Sequence, residues 1–377
     1  MSLSTSLFDF KYQDQRNYFP KLKEDISLII NDFNSSMKFH SNLPGYKPSP
    51  LYNLKNLASE LAVGKILCKN EAERFGVPTI KMLGASWAMH KILKKDSQVE
   101  SFCTATDGNH GRAVAWSAKQ FNKNALVFVP KNTVRSRIQN IKNEGAEVMV
   151  VDGNYDEAVA KAEKYSTENN HCLIQDTAWE GYTEIPALIT SGYYTQMVEI
   201  ESQTNEFDDQ IDIIFLQTGV GSWPSAITHY VRNHARLKKT KIVCVEPMES
   251  DCFLQSAKNN MRSATKKTQH TIMAGLNCGT PSILAWEIMK NGIDVFLAID
   301  DSYSVRAMHQ FYFPIADETR IEAGESGAAG LAGLMALITD PKLNDLKKRL
   351  ELKNTANVLL FNTEGITDPE LFAEIVN

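Results

Sequence analysis

The chain has 377 residues, 43% apolar and 23% charged, with a net charge of −5. That length suffices for two ordinary domains with a large core, and the composition is that of a soluble globular protein. The absence of a long basic tract argues against nucleic acid, and no apolar run reaches the roughly 20 residues that cross a bilayer. Residues 1–10 lack the basic start and apolar core of a secretory signal, so the expected location is the cytoplasm.

Residues 1–50 show little periodicity, and three prolines in 43–51 exclude a helix there. A helix is predicted over 56–63 and a strand over 65–70. Next comes Arg74-Phe-Gly-Val-Pro-Thr-Ile-Lys81-Met-Leu-Gly84-Ala-Ser86, in which a lone lysine follows an extended apolar run. Small residues follow it, and then a helix predicted over 86–95. A lysine held at the mouth of a helix suits a Schiff base, although most lysines are solvated surface charges.

From there the pattern is regular. Strands are predicted over 101–106, 125–129, 147–151 and 171–175, with helices over 112–121, 133–144 and 155–164 between them. After a long helix over 185–201, strands follow over 211–216 and 241–246, and another over 357–361. Such alternation means right-handed βαβ units around a parallel sheet. The segment 259–270 is polar. Six cysteines (Cys68, Cys103, Cys172, Cys244, Cys252, Cys278) form no CxxC pair, so no metal site is expected. The first four lie in apolar strand-like runs, and the last two in loop-like contexts.

In open parallel sheets, ligands sit beyond the carboxyl ends of strands. Four loops are expected there: 106–111, 176–181, 217–225 and 363–365. Each is small or polar and is read as opening a helix, whose free N–H groups and positive dipole end suit a phosphate or a carboxylate. Gly219-Val-Gly221 is not the dinucleotide fingerprint, because Pro224 and Ser225 stand where later glycines would be, so a dehydrogenase is disfavoured. Asp107-Gly-Asn109-His110-Gly111 is more than the Asx turn that would explain Asp107 or Asn109 singly. Asp176 and Thr363 each have a bland reading as helix caps.

Taken together, these stretches resemble the fold-type II pyridoxal-phosphate enzymes, the tryptophan-synthase-β-like group. Within that group the chain is similar to the diaminopropionate ammonia-lyase family. The matching segments are Lys69-Asn-Glu-Ala-Glu-Arg-Phe-Gly76, Lys81-Met-Leu-Gly84, Thr106-Asp-Gly-Asn-His-Gly-Arg112, Gln175-Asp-Thr-Ala-Trp-Glu-Gly-Tyr182, Thr271-Ile-Met-Ala-Gly-Leu276, Gly324-Glu-Ser-Gly-Ala328 and Thr363-Glu-Gly365. The resemblance implies two three-layer αβα domains with mainly parallel sheets: a large cofactor domain (1–87 with 196–377) and a small one (88–195). It implies α,β-elimination of D- and L-2,3-diaminopropionate to pyruvate and ammonia.

The implied roles are specific. Lys81 would bind pyridoxal 5′-phosphate as a Schiff base. Asn109 would meet its 3′-oxygen, and Gly219, Val220, Gly221 and Ser222 its phosphate. Thr363 would meet its ring nitrogen. Asp107 would take the proton of the D-isomer and Asp176 that of the L-isomer, with His110 and Tyr155 lining the substrate end. A homodimer is implied, as is a possible pairing of Cys252 with Cys278. One departure stands out: Ser222-Trp223-Pro224-Ser225 replaces a loop richer in glycine and alanine, and proline has no N–H to offer. Two alternatives stay open. One is a threonine or serine dehydratase of the same fold, which needs a single proton-abstracting face. The other is a cofactor-binding homologue with altered catalysis.

Overall fold

The computed structural model describes residues 5–9, 20–106, 108–207 and 210–377. Its strands, in chain order, are β1 (Thr5–Asp9), β2 (Leu51–Asn53), β3 (Lys65–Asn70), β4 (Ser101–Ala105), β5 (Asn124–Pro130), β6 (Glu147–Val151), β7 (Cys172–Leu173), β8 (Ile213–Gln217), β9 (Lys241–Pro247), β10 (Val295–Ile299) and β11 (Asn357–Asn362). They form two sheets. One has the order β1-β10-β9-β8-β11-β3-β2, parallel except for its two edge strands. The other, β6-β5-β4-β7, is parallel throughout.

The central strands read as unbroken apolar runs because both faces are covered. In β8, Ile214 and Leu216 enter one core cluster while Ile213 and Phe215 enter another. The same alternation holds in β9, with Ile242 and Cys244 on one side and Val243 and Val245 on the other. In the smaller sheet, Leu126 and Phe128 of β5 face one cluster and Val127 and Val129 the other. Each sheet is therefore the middle of a helix–sheet–helix sandwich, the α/β class expected.

Several boundaries differ from expectation. The helix expected from residue 86 begins at Lys81 itself and runs Lys81–Lys95. Gly84, Ala85 and Ser86 do not delay the helix; they let it touch a neighbour. A Cβ on Gly84 would come within 2.8 Å of Ile189 and Tyr193, and one on Gly192 within 2.5 Å of the Leu83 carbonyl oxygen. The helix expected over 185–201 is two helices, Glu184–Gly192 and Tyr194–Gln203. The strand expected over 171–175 ends at Leu173, and Asp176 just beyond it lines the cleft. Strands β1, β2 and β10 carried no clear signal. The helix Ala329–Thr339 also escaped notice, since it is buried nearly all round and lacks a polar face. Cys252 starts the helix Cys252–Asn259 and is fully buried, rather than sitting in a loop.

Candidate active site

The loops at the strand ends enclose a cleft with about 860 Å³ of empty space, its mouth included. Lys81, Asn109, His110, Tyr155, Asp176, Gly219, Val220, Gly221, Ser222 and Thr363 all line it. Asp107 lies outside the described residues. Two of the four loops open a helix directly, at Asn109–Gln120 and Ser222–Asn233. The other two do not: the helices after them begin only at Glu184 and Pro369. Asp176 and Thr363 are thus not helix caps.

Lys81 Nζ donates to Asp176 Oδ2 at 2.7 Å. Burial alone would lower the amine and raise the carboxyl, but the opposite charges override it. Lys81 is held above the usual lysine range, and Asp176 is lowered to about 2. His110 Nε2 lies 2.7 Å from the Ile174 carbonyl oxygen. A carbonyl only accepts, so Nε2 carries the hydrogen. Burial lowers the His110 pKa, which favours the neutral ring. Its buried Nδ1 has no hydrogen-bond partner and faces Asp176 Oδ2 at 3.8 Å. The site therefore holds an ammonium, a carboxylate and an imidazole lone pair within one small volume. Tyr155 Oη accepts from Gln175 Nε2 at 2.9 Å.

A second cluster lies across the cleft. Gln217 Nε2 is ringed by the carbonyl oxygens of Gly327 (3.1 Å) and Phe361 (2.9 Å) and by Thr363 Oγ1 (3.1 Å). The two carbonyls require an amide nitrogen there, and that nitrogen cannot accept. The Thr363 hydroxyl is therefore left to donate its proton elsewhere. Asn109 Nδ2 donates to Glu364 Oε2, while Ser326 N–H donates to Glu364 Oε1 at 3.1 Å.

The glycine loop supplies backbone donors. Gly221 has φ +100, a left-handed conformation that a side chain resists, and a Cβ there would meet Phe253 at 2.4 Å. At Gly219 a Cβ would come within 2.9 Å of the Gly275 carbonyl oxygen and 3.1 Å of Cys278 Sγ. The first intrahelical bond runs from Ser225 N–H to the Gly221 oxygen at 2.9 Å, so the N–H groups of Ser222 and Trp223 have no partner in their own helix. Pro224 contributes none. The Trp223 ring is buried, donates Nε1–H to Gln196 Oε1 at 2.5 Å, and packs edge-on to Phe361 at 5.1 Å. Its bulk is in the core, while its backbone borders the cleft. Neither serine hydroxyl compensates for Pro224 here: Ser222 Oγ donates to the Asp176 carbonyl, and Ser225 Oγ to the Ser222 carbonyl at 2.9 Å.

These donors fit pyridoxal phosphate: a primary amine for the aldehyde, a helix N-terminus for the phosphate, and a hydroxyl donor for the ring nitrogen. Sequence reading missed Gln217, Arg137, Ser326 and Glu364 as lining residues. Gln217, Ser326 and Glu364 each lie inside a stretch already singled out, which was the available signal. Arg137, from the helix Arg135–Asn143, had none. Cys252 and Cys278 stand as two thiols.

The layered sheets and strand-end cleft define the class, a fold-type II pyridoxal-phosphate enzyme. Residues 43–364 match the family described as "Pyridoxal-phosphate dependent enzyme". The diaminopropionate ammonia-lyase of Escherichia coli K12 is 36% identical over 356 residues, covering 90% of this chain and 89% of that protein. The structure of the Escherichia coli diaminopropionate ammonia-lyase in complex with an aminoacrylate-PLP azomethine reaction intermediate superposes with a TM-score of 0.90 at 34% identity, covering 100% of this chain and 97% of the other. Tomato (Solanum lycopersicum) threonine deaminase isoform 2 shares the fold, with a TM-score of 0.76 at 20% identity and 95% of each chain covered. The chain belongs to the pyridoxal-phosphate dependent enzymes and, within them, to the diaminopropionate ammonia-lyase family.

Proposed function

We propose that the chain eliminates ammonia from both D- and L-2,3-diaminopropionate, giving pyruvate and a second ammonia. The observation that carries this reading is the Lys81–Asp176 pair, a lysine and a carboxylate proton acceptor 2.7 Å apart in one cleft. When bound, pyridoxal phosphate supplies the electron sink that acidifies the substrate Cα–H. Lys81 Nζ would be its covalent anchor. The N–H groups of Gly219–Ser222 would hold its phosphate, and Asn109 its 3′-oxygen. The Thr363 hydroxyl would donate to its ring nitrogen, chemistry that suits elimination more than transamination.

Asp176 Oδ2 would take the Cα proton of the L-isomer, and Asp107 that of the D-isomer. His110 Nδ1 would accept a hydrogen bond from a substrate ammonium, beside Tyr155. Lys81 would supply a proton to the departing amine. The assay is pyruvate formation from each enantiomer of diaminopropionate and of serine. Turnover of both diaminopropionate enantiomers is expected; rapid turnover of serine alone would instead point to a dehydratase.

We also propose the division into a large unit (1–87 with 196–377) and a small unit (88–195). The two separate sheets support it, although the helix Lys81–Lys95 runs across the cut. A cytoplasmic homodimer completes the proposal. Among the described residues no helix is long and apolar enough to cross a membrane. The cysteines stand as thiols, which suits a reducing compartment. Sedimentation of the purified protein tests the dimer.

A further inference from the structure

Glu364 is 3% exposed, yet it touches three loops that are far apart in sequence. Its Oε2 accepts from Asn109 Nδ2, at the head of the helix that follows β4 of the smaller sheet. Its Oε1 accepts from Ser326 N–H at 3.1 Å. Ser326 Oγ in turn accepts from Gly275 N–H at 2.9 Å. The Glu364 backbone is pinned as well: Gly324 N–H donates to its carbonyl oxygen at 3.0 Å, and a Cβ on Gly327 would come within 2.3 Å of that oxygen. With both carboxylate oxygens accepting, the Asn109 amide must present its nitrogen to Glu364. A charge-assisted bond of this kind fixes the plane of the amide and the direction of its remaining N–H.

We propose that Glu364 is a positioning residue for the reaction. It acts through Asn109, orienting the amide so that its second N–H is aimed at the cofactor's 3′-oxygen, and it joins the two sheets across the cleft. This rests on the reading that Asn109 meets that oxygen.

The test titrates the apoprotein with pyridoxal phosphate in wild type, E364Q, N109A and the double variant. E364Q keeps the size of the side chain and loses its charge. It is expected to bind the cofactor about tenfold more weakly, the scale of one charge-assisted hydrogen bond. The visible band of the lysine-bound cofactor should lose intensity to the near-ultraviolet band, because a donor no longer held in place does not favour the 3′-oxyanion. The double variant should bind no more weakly than N109A, since both changes remove one coupled unit. N109D leaves Glu364 intact and sets a second carboxylate against it, so it serves if E364Q fails to fold; it should bind more weakly than N109A. E364Q with wild-type affinity and spectrum overturns the proposal, as does full additivity of E364Q with N109A. Wild-type affinity in N109A beside weak binding in E364Q overturns the Asn109 reading and the proposed route with it. Wild type that never develops the visible band overturns the underlying cofactor assignment instead.

Discussion

Two groups of paired charges flank the same turn and behave in opposite ways. Lys69, Glu71, Arg74 and Glu199 form a sealed quartet with side chains 0–1% exposed. Arg74 spans both carboxylates: Nε to Glu71 at 2.7 Å, and Nη1 and Nη2 to Glu199 at 2.7 and 2.9 Å. Lys69 Nζ meets Glu199 Oε2 at 2.7 Å, and Ser49 and Tyr46 add further donors. Charges cancel within the quartet, so burial is tolerated. A few residues on, Lys81 and Asp176 also pair at 2.7 Å, but the Lys81 side chain keeps 21% of its surface and His110 Nδ1 beside them has no partner. The chemistry of the residues is the same in both places. Unused hydrogen-bonding capacity facing a cleft is what separates a reactive pair from a structural one.

The largest effect that would sharpen this contrast is at Lys81. K81A should abolish turnover and the visible absorbance of the bound cofactor, with folding intact; a retained band would mean that another lysine is the anchor. D176N should lower kcat on the L-substrate by about 10²- to 10⁴-fold, the usual contribution of a general base. D107N should do the same selectively for the D-substrate. Equal losses on both enantiomers would contradict the two-face assignment.

The quartet should respond in stability. E199Q leaves Arg74 and Lys69 short of a counter-charge and should cost about 3–5 kcal/mol in urea unfolding. Acid should act in the same direction. Burial would raise the Glu199 carboxyl, but Arg74 overrides it and lowers it to about 2. A depressed folded pKa contributes stability that is present above the unfolded value, near 4.5, and lost as pH falls toward 2. Unfolding free energy should therefore fall across that window in wild type and less so in E199Q. The smallest effect is expected at the phosphate loop. P224A restores one N–H to a helix N-terminus and should tighten cofactor binding by about 1 kcal/mol or less, read by titration of the apoprotein. Unchanged affinity would place that N–H away from the phosphate.

Much of the site was legible because strand-end loops announce themselves. Asn109, Asp176 and Thr363 each come within a few residues of the end of an apolar run, and a parallel sheet brings such ends together. Glu71 and Arg74 were visible only as part of a family stretch, since Glu199, which explains them, is 125 residues from Arg74. Gly84 was read as a pause before a helix, because local pattern cannot show that Tyr193 packs against it. Trp223 belongs to the stretch that departs from the family's loop, and only packing shows that its ring turns into the core.

By itself, the sequence determined the α/β class, the order of its units and the chemical types gathered at the strand ends. Those follow from periodicity and turn residues, which act over a few positions. Only the tertiary structure decided that Lys81 is ion-paired, that His110 presents an empty lone pair, that Thr363 has its proton to give, and that Glu364 holds Asn109. Each depends on a partner on another element, and protonation and hydrogen-bond direction are set by what stands within about 3 Å, whatever its distance along the chain.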